Sequence, residues 1–359
     1  MSARTLVARV AGPILAVTLL AAAPARAGIE DAGTTAANFL SLGAGARTLA
    51  MGGAVLGLGD DAGAAAWNAA ALGWVDGTDA ALAHAQLPGG SLQEWGTVGA
   101  RIGGSATRWA LTGLYQGDGS FQGLDATGNP TGDFSVSSVA VGATLAQSLG
   151  GFASLGVGTK LVHDKIASVS GTGVTFDAGL MLRAGGFGIG FAAQNVGGKM
   201  SYSGTRYPFP TSYGVGLGYT HPGSGIRLAV DANLPNAYHP DVRSGIEWIY
   251  RGTLALRAGY RQELGSTADP LTGPTFGLGA HYGGMWFDYG YLIPSEGSGQ
   301  HRMGLRFHFG GGAGGESTAE AKTKPDKSKK SEKPKKPEKP GDFDWARDGD
   351  RLGPKKPGD

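Results

Sequence analysis

Apolar and polar residues alternate along about fourteen short segments in the middle of the chain. In one of them, Leu254 and Leu256 alternate with Arg257 and Gly259. A period of two residues is that of a β-strand whose two faces meet different surroundings. The pattern therefore predicts an all-β fold between residues 78 and 310.

The connections between these segments alternate between short and long. The short ones are 103–105, 148–151, 184–186, 221–224, 251–252 and 283–284, and the long ones include 117–132, 164–172, 197–211, 262–273 and 292–299. Outer-membrane barrels have short periplasmic turns and longer outer loops, and a secreted soluble β-protein has no reason to sort its turns in this way. We therefore expect a transmembrane antiparallel β-barrel of about 14 strands in the cell outer membrane, with both termini in the periplasm.

The two ends of the chain differ from the strand region. Residues 1–27 combine Arg4 and Arg9 with a short apolar run and the motif Ala25-Arg26-Ala27, which predicts a signal peptide. A transmembrane helix is the alternative, but the run is too short to span a membrane. Residues 28–77 are rich in Ala and Gly and are predicted to form a plug with short helices, whereas 311–359 form a Lys/Pro-rich tail predicted to be disordered in the periplasm.

Composition removes several function classes. The chain contains 66 Gly and no Cys, so disulfides, lipid attachment to a cysteine and cysteine-bound zinc are excluded. The formal net charge of +2 is too small to indicate a nucleic-acid partner. Histidines are scattered singly, with neither a metalloprotease nor a serine-hydrolase motif, so we predict no enzyme, no cofactor and no metal.

If the apolar face of the strands meets lipid, the charged residues of the other face point into the lumen. Both signs are mixed there, which favours an interior crossed by ion pairs or occupied by a plug over a pore selective for one charge. Solvated walls of an open channel are the alternative. The predicted luminal charges are Asp177, Arg183, Arg227, Asp231, Arg243, Glu247, Arg257, Asp288, Arg302 and Arg306.

The segment before the strands carries the candidate plug motif. Asp60 and Asp61 precede an Ala-rich stretch, where they would cap a short helix; a metal site there lacks a nearby histidine. The glycines favour tight packing over a phosphate-binding loop, because no strand precedes them and no Lys-Ser/Thr follows. The motif residues are Gly43, Gly45, Arg47, Met51, Gly52, Gly53, Asp60, Asp61, Trp67 and Asn68.

The order of these motifs resembles the PorV/PorQ family, whose barrels are related to the FadL long-chain fatty-acid transporters. The specific block runs from Phe39 through Gly43, Arg47, 50–54, 60–61 and 67–73, and weaker likeness continues at 187–188, 193–199, 207–210, 256–260 and 288–291. One departure concerns the Asn-Pro-Ala triplet that the family usually has after the tryptophan. Here Asn68 is followed by Ala69, so the turn is expected to differ or to continue as helix.

The resemblance implies two functions. As in PorV, the barrel would be a non-enzymatic component of type IX protein secretion that receives exported proteins or secretion components through its outer loops. As in FadL, it would instead admit hydrophobic small molecules. Either role implies outer-membrane lipid as the surroundings.

The predicted outer loops carry apolar side chains that could contact a ligand or a protein partner at an exposed rim. A place in the aromatic girdle at the membrane interface is the alternative for each of them. These residues are Phe121, Leu124, Tyr202, Tyr207 and Phe209.

Overall fold

The computed structural model describes residues 33–265 and 271–310. The predicted signal peptide, residues 1–27, and the predicted tail, residues 311–359, lie outside the described residues. In the part that is described, no helix has both the length and the apolar character that a membrane span requires.

Sixteen antiparallel strands form one sheet in the described residues. Strands β8 and β9 make a hairpin that pairs with the start of β6. The other fourteen strands close into a barrel through pairing of β1 with β16, from Thr78 opposite Phe309 to Gln86 opposite His301. The predicted all-β barrel is thereby confirmed. The strands are β1 Thr78–Gln86, β2 Leu92–Arg101, β3 Thr107–Leu124, β4 Pro130–Leu149, β5 Ala153–Ile166, β6 Val169–Ala184, β7 Phe187–Val196, β8 Lys199–Tyr202, β9 Thr205–Pro208, β10 Ser212–Thr220, β11 Ile226–Pro235, β12 Asp241–Tyr250, β13 Leu254–Glu263, β14 Gly273–Tyr282, β15 Met285–Leu292 and β16 Gln300–Phe309.

The two faces of the barrel wall have opposite character. On β13, Leu254 and Leu256 are about half exposed on the outer face, whereas Arg257 is buried on the inner face. Exposed Leu, Val, Phe and Tyr side chains recur on the outer face of the other strands. An apolar outer band and a polar interior are what a barrel in lipid requires.

One end of the barrel carries the short turns, such as 185–186 and 283–284, and we call it the short-turn end. At the other end, the long-loop end, three loop predictions were wrong. Strands β3 and β4 run on to Leu124 and from Pro130, so most of 117–132 is strand, and β5 and β6 are joined by only 167–168. The predicted loop 197–211 contains β8 and β9. Ladder hydrogen bonds continue at this end with only scattered apolar residues, such as the paired Phe121 and Phe134. Such an extension has no regular apolar alternation by which the sequence could reveal it.

Residues 34–77, here called the inner segment, lie against the inner face of the wall. Their helices are the 3-10 helix Asn38–Leu42, the α-helix α1 Ala46–Ala50, and the 3-10 helices Ala64–Ala66 and Ala69–Trp74; another 3-10 turn, Pro88–Gly90, joins β1 to β2. Helix α1 packs on β13 to β16, and the helix Ala69–Trp74 packs on β3 to β6. Because these strands lie on opposite sides of the closed sheet, the inner segment crosses the lumen.

Wall glycines let the inner segment approach the strands closely. A Cβ at Gly156 or Gly179 would overlap the backbone next to Ala69 or Ala70, and one at Gly245 would overlap the backbone of Met51. Inward-facing glycines thus leave the space that the inner segment fills.

Candidate functional site

Arg47 of α1 is the centre of an ion-pair network between the inner segment and the wall. Its Nε and Nη2 donate to Oε2 and Oε1 of Glu247 on β12 at 3.0 and 2.8 Å. Its Nη1 lies 2.8 Å from Asp61 Oδ2 and 3.2 Å from Asp60 Oδ1. One guanidinium therefore joins two parts of the inner segment to the wall.

The carboxylates of the wall are shared among several arginines. Glu247 also accepts a hydrogen bond from Arg257 Nε at 2.6 Å and lies 3.6 Å from Arg227 Nη1. Asp288 accepts from Arg257 Nη1 at 2.8 Å and from Arg306 Nε at 2.6 Å. The mixed signs predicted for the lumen are thus paired with one another and with the inner segment.

The network shifts the titration of the two inner-segment groups in opposite directions. Burial alone raises the pKa of Asp60, but the positive charges of Arg227 and Arg47 outweigh it, and the pKa lies well below its usual range. Burial lowers the pKa of Arg47, but Glu247, Asp60 and Asp61 outweigh it and raise that pKa well above its ordinary value. Both groups therefore keep their charges.

Wall charges also bind backbone groups of the inner segment. Asp231 Oδ2 accepts from the amides of Val55 and Leu56 at 2.7 and 2.9 Å. Arg183 donates to the carbonyls of Leu58 and Gly59. These bonds hold the loop between α1 and the next helix against β6 and β11.

The remaining predicted luminal charges also point inward. Arg243 pairs with Asp241 at 2.6 Å and lies over the Trp67 ring, 5.4 Å from its centroid. Asp177 pairs with Lys160 at 2.9 Å. Arg302 has only two long contacts, which are described below.

Several motif residues serve close packing. Gly43 has φ of 70°, and a Cβ there would overlap the Trp67 indole, whose Nε1 donates to the Ala44 carbonyl at 3.1 Å. Gly52 donates its N–H to Thr275 Oγ1 at 2.9 Å. At Gly53 a Cβ would touch the side chain of Arg243, and at Gly45 the space beside the backbone is open. Met51 is buried.

Asp61 and Asn68 cap the short helices. Asp61 Oδ1 accepts from the amide of Ala64 at 2.8 Å, whereas Asp60 points to Arg47 and Arg227 instead. Asn68 Oδ1 accepts from the amide of Ala70 at 3.0 Å, and its Nδ2 donates to the Leu56 carbonyl at 3.2 Å. The chain continues from Asn68 as a 3-10 helix, one of the two outcomes expected where the proline is missing.

An apolar cluster lies beside this charged region. Phe39 of the inner segment packs with Val162, Met200 and Phe209, all buried, and with half-buried Tyr202. Phe209 is 1% exposed, so its expected place at an exposed rim was wrong. The segment after β9 folds inward at Pro208, whose carbonyl accepts from the amide of Ala36, and this carries Phe209 into the lumen.

The other predicted rim residues are more accessible. Phe121 stacks on Phe134 with centroids 5.7 Å apart, and Leu124 is exposed at the end of β3. Tyr207 packs edge-on against Tyr202, whose hydroxyl donates to Asp164 Oδ2 at 2.6 Å.

The space left around the network is small. A cavity of about 30 Å³, lined by Arg47, Asp61, Trp95, Asp288 and Arg306 among others, has room for about one water molecule. In residues 33–265 and 271–310 no group of three or more His, Asp or Glu is arranged to hold a metal.

Sequence reasoning missed part of the site. Asp79 accepts from the amide of Ala62 at 3.2 Å and lies 2.5 Å from His308 Nδ1, and its inward parity on β1 could have revealed it. The sequence does not reveal the inward position of Met200 and Val162, because an apolar residue is compatible both with a lipid-facing position and with an apolar cluster in the lumen.

No family model and no curated protein matches the sequence. Solved structures do match. The Ralstonia pickettii toluene transporter TbuX superposes with a TM-score of 0.55 at 14% identity, covering 75% of this chain and 99% of that one. The fold is that of FadL-type outer-membrane barrels.

Two further structures agree. The CymD monoaromatic hydrocarbon channel gives a TM-score of 0.54 at 14% identity, with 75% and 98% of the two chains covered. A Pseudomonas aeruginosa FadL homologue gives 0.53 at 11% identity, with 74% and 98% covered. At these identities the likeness is one of fold, and the predicted link to PorV/PorQ and type IX secretion finds no support in it.

Proposed function

We propose that the protein is an outer-membrane channel for uptake of hydrophobic small molecules, and that the inner segment is its plug. The observation that carries the proposal is the apolar cluster of Phe39, Val162, Met200 and Phe209. It joins the inner segment, the wall and the inward-folded chain near the β8–β9 hairpin. The fold shared with hydrocarbon channels supports the same function.

The lengths of the connections support an orientation. We infer that the short turns face the periplasm and the long-loop end the outside, in which case both termini would be periplasmic. Because β8 and β9 branch from the wall beyond the end of β7, the apolar cluster would face incoming ligand.

Ligand entry would act on the plug through Phe39. An apolar molecule entering the cluster competes with Phe39 for contact with Met200 and Phe209. Phe39 is four residues from Gly43, which packs on Trp67, and eight from Arg47. Displacement of the helix Asn38–Leu42 would therefore pull on the contacts that hold α1 to the wall.

An open pore fits the structure less well. The inner segment crosses the lumen, its charges are paired with those of the wall, and the cavity beside Arg47 holds about one water molecule. Charged lumen residues that served an open channel would face water rather than one another.

The test measures uptake of the hydrophobic dye N-phenyl-1-naphthylamine by cells carrying the barrel in their outer membrane. We expect faster uptake than in cells with an empty vector, and a several-fold loss in Phe39→Asp, because a carboxylate in the apolar cluster opposes ligand entry. Phe152→Asp, at an exposed position in the short turn between β4 and β5, is the matched control and should keep the activity.

Two results would overturn the proposal. One is dye uptake equal to that of the empty vector while the barrel is folded in the membrane. The other is free passage of sucrose, which would show an open pore. If a folded exported protein, rather than lipid, co-purified with the barrel and bound its outer loops, the secretion role would replace the uptake role.

A further inference from the structure

Of the predicted luminal arginines, Arg183 has no carboxylate partner but donates to two backbone carbonyls, whereas Arg302 has neither a carboxylate partner nor a short hydrogen bond in the described residues. Arg302 lies on the inner face of β16 and is 2% exposed. Its Nη2 lies 3.5 Å from the Leu42 carbonyl and 3.4 Å from Gln93 Oε1, both at the long limit of a hydrogen bond. Its Nε has no partner.

Two buried amides beside Arg302 also have unused donors. Gln93 and Gln300 are each 2% exposed, and the Nε2 of each lacks a hydrogen-bond partner. Gln93 and Arg302 are both opposite Ala85 of β1 in the strand register, and Gln300 is two residues along β16 on the same face. Three buried donors on one patch of wall therefore lack acceptors among residues 33–265 and 271–310.

A buried cation without a counter-charge destabilises the folded barrel, and each unsatisfied amide adds to the destabilisation. The wall neighbours of Arg302 in the register, Ala85 and Gly290, are small and offer no acceptor side chain. An arrangement of donors without acceptors is suited to a ligand that carries only acceptors.

We propose that Arg302, Gln93 and Gln300 form an oxyanion-binding site in the lumen, which takes a carboxylate or a phosphate. The inference deepens the proposed uptake function and rests on it where the anion is the head group of a hydrophobic molecule. The charged guanidinium would bind the oxygens, and the two amides would orient them.

The helix Asn38–Leu42 separates this site from the apolar cluster. Phe39 at one end packs in the cluster, and the Leu42 carbonyl at the other end contacts Arg302. Ala37 before the helix has φ of 54° and gives no side-chain cap, so the helix begins on a strained residue. An anion bound to Arg302 would replace its weak contact with Leu42 and so favour displacement of the helix. The head group and the apolar body of one ligand would therefore both act on residues Asn38–Leu42.

The test compares thermal unfolding of the full chain in dodecyl maltoside, at constant ionic strength, in chloride, acetate, phosphate, decanoate and decanol. We expect acetate, phosphate or decanoate to raise the unfolding temperature over chloride. Stabilisation by acetate or phosphate alone would indicate a small-anion site, and stabilisation by decanoate without acetate would indicate an amphiphile; either supports the proposal.

Arg302→Met should unfold at a higher temperature than the wild type without oxyanion, because it removes an uncompensated buried charge, and should weaken oxyanion binding at least about tenfold. Arg302→Lys should retain part of the response. Arg306→Met, on the same face of β16 but paired with Asp288, is the matched control: it should lower the unfolding temperature and keep the oxyanion response.

Equal unfolding temperatures of the wild type in chloride and in all three oxyanions would overturn the site. So would an oxyanion response that Arg302→Met leaves intact. Neither result bears on uptake of the neutral dye, so failure of this site and failure of the uptake function are distinguishable.

Discussion

Arg47 and Glu247 face each other with two parallel hydrogen bonds across 200 residues of sequence, at 2.8 and 3.0 Å. The pair joins the inner segment to β12, and the Glu247 side chain is only 1% exposed. Glu247 also forms ion pairs with Arg227 and Arg257. Removal of its charge therefore leaves three arginines in the lumen without a carboxylate that they share.

Glu247→Gln should therefore lower the free energy of unfolding by about 3–5 kcal/mol. Urea unfolding of the barrel in detergent, followed by tryptophan fluorescence, measures it. The control is Glu94→Gln, which removes the partner of His84 from a half-exposed outer-face pair and should change stability by less than about 1 kcal/mol. Equal effects of the two variants would contradict the central role of the network.

Arg47→Met should open the lumen as well as destabilise the barrel. It releases Glu247 and two aspartates of the inner segment from their shared cation. In planar bilayers we expect larger and more frequent conductance steps than for the wild type. Arg101→Met, at an exposed arginine that bonds the Ser105 carbonyl in a short turn, should leave conductance unchanged.

Gly43→Ala and Gly45→Ala separate backbone strain from steric overlap. Both glycines combine positive φ, 70° and 84°, with an extended ψ, a conformation that alanine rarely adopts, so each alanine should cost about 1–3 kcal/mol. At Gly43 the Cβ also overlaps the Trp67 ring, whereas at Gly45 its nearest neighbour is Thr48 Oγ1 at 3.6 Å. Gly43→Ala should thus lower the free energy of unfolding by about 1–3 kcal/mol more than Gly45→Ala does. Equal losses in the two variants would show that the Trp67 ring moves aside without cost.

Ala69→Pro should be tolerated better than Ala70→Pro, by about 1–3 kcal/mol, because it breaks no capping hydrogen bond. Ala69 is the first residue of its 3-10 helix, and Asn68 before it has the extended conformation that a following proline favours, with φ of −141° and ψ of 109°. Ala70→Pro is the contrasting variant, since its amide donates to Asn68 Oδ1 in a buried site. A loss of stability in Ala69→Pro as large as that in Ala70→Pro would contradict this account.

The sequence predicted the strands and the inward position of the charged residues, because both follow from the two-residue alternation of apolar and polar positions. Alternation on β13 placed Arg257 inside and Leu256 outside, because a strand between lipid and a polar lumen must sort its residues. It could not place Phe209, since burial of a loop residue depends on where the chain folds back. Nor could it reveal that Arg302 has no carboxylate partner in the described part of the chain while Arg306 has one, because pairing depends on register across strands.

The two halves of the inner segment are held to the wall differently. Residues 46–61 are held to β11, β12 and β16 by ion pairs as well as by close packing on wall glycines such as Gly245. The helix Ala69–Trp74 has no charged residue, packs closely on the glycines of β5 and β6, and is separated from β1 only by residues 75–77. Because only the first half depends on charge, loss of the Arg47 ion pairs would loosen residues 46–61 and leave the helix Ala69–Trp74 on the wall.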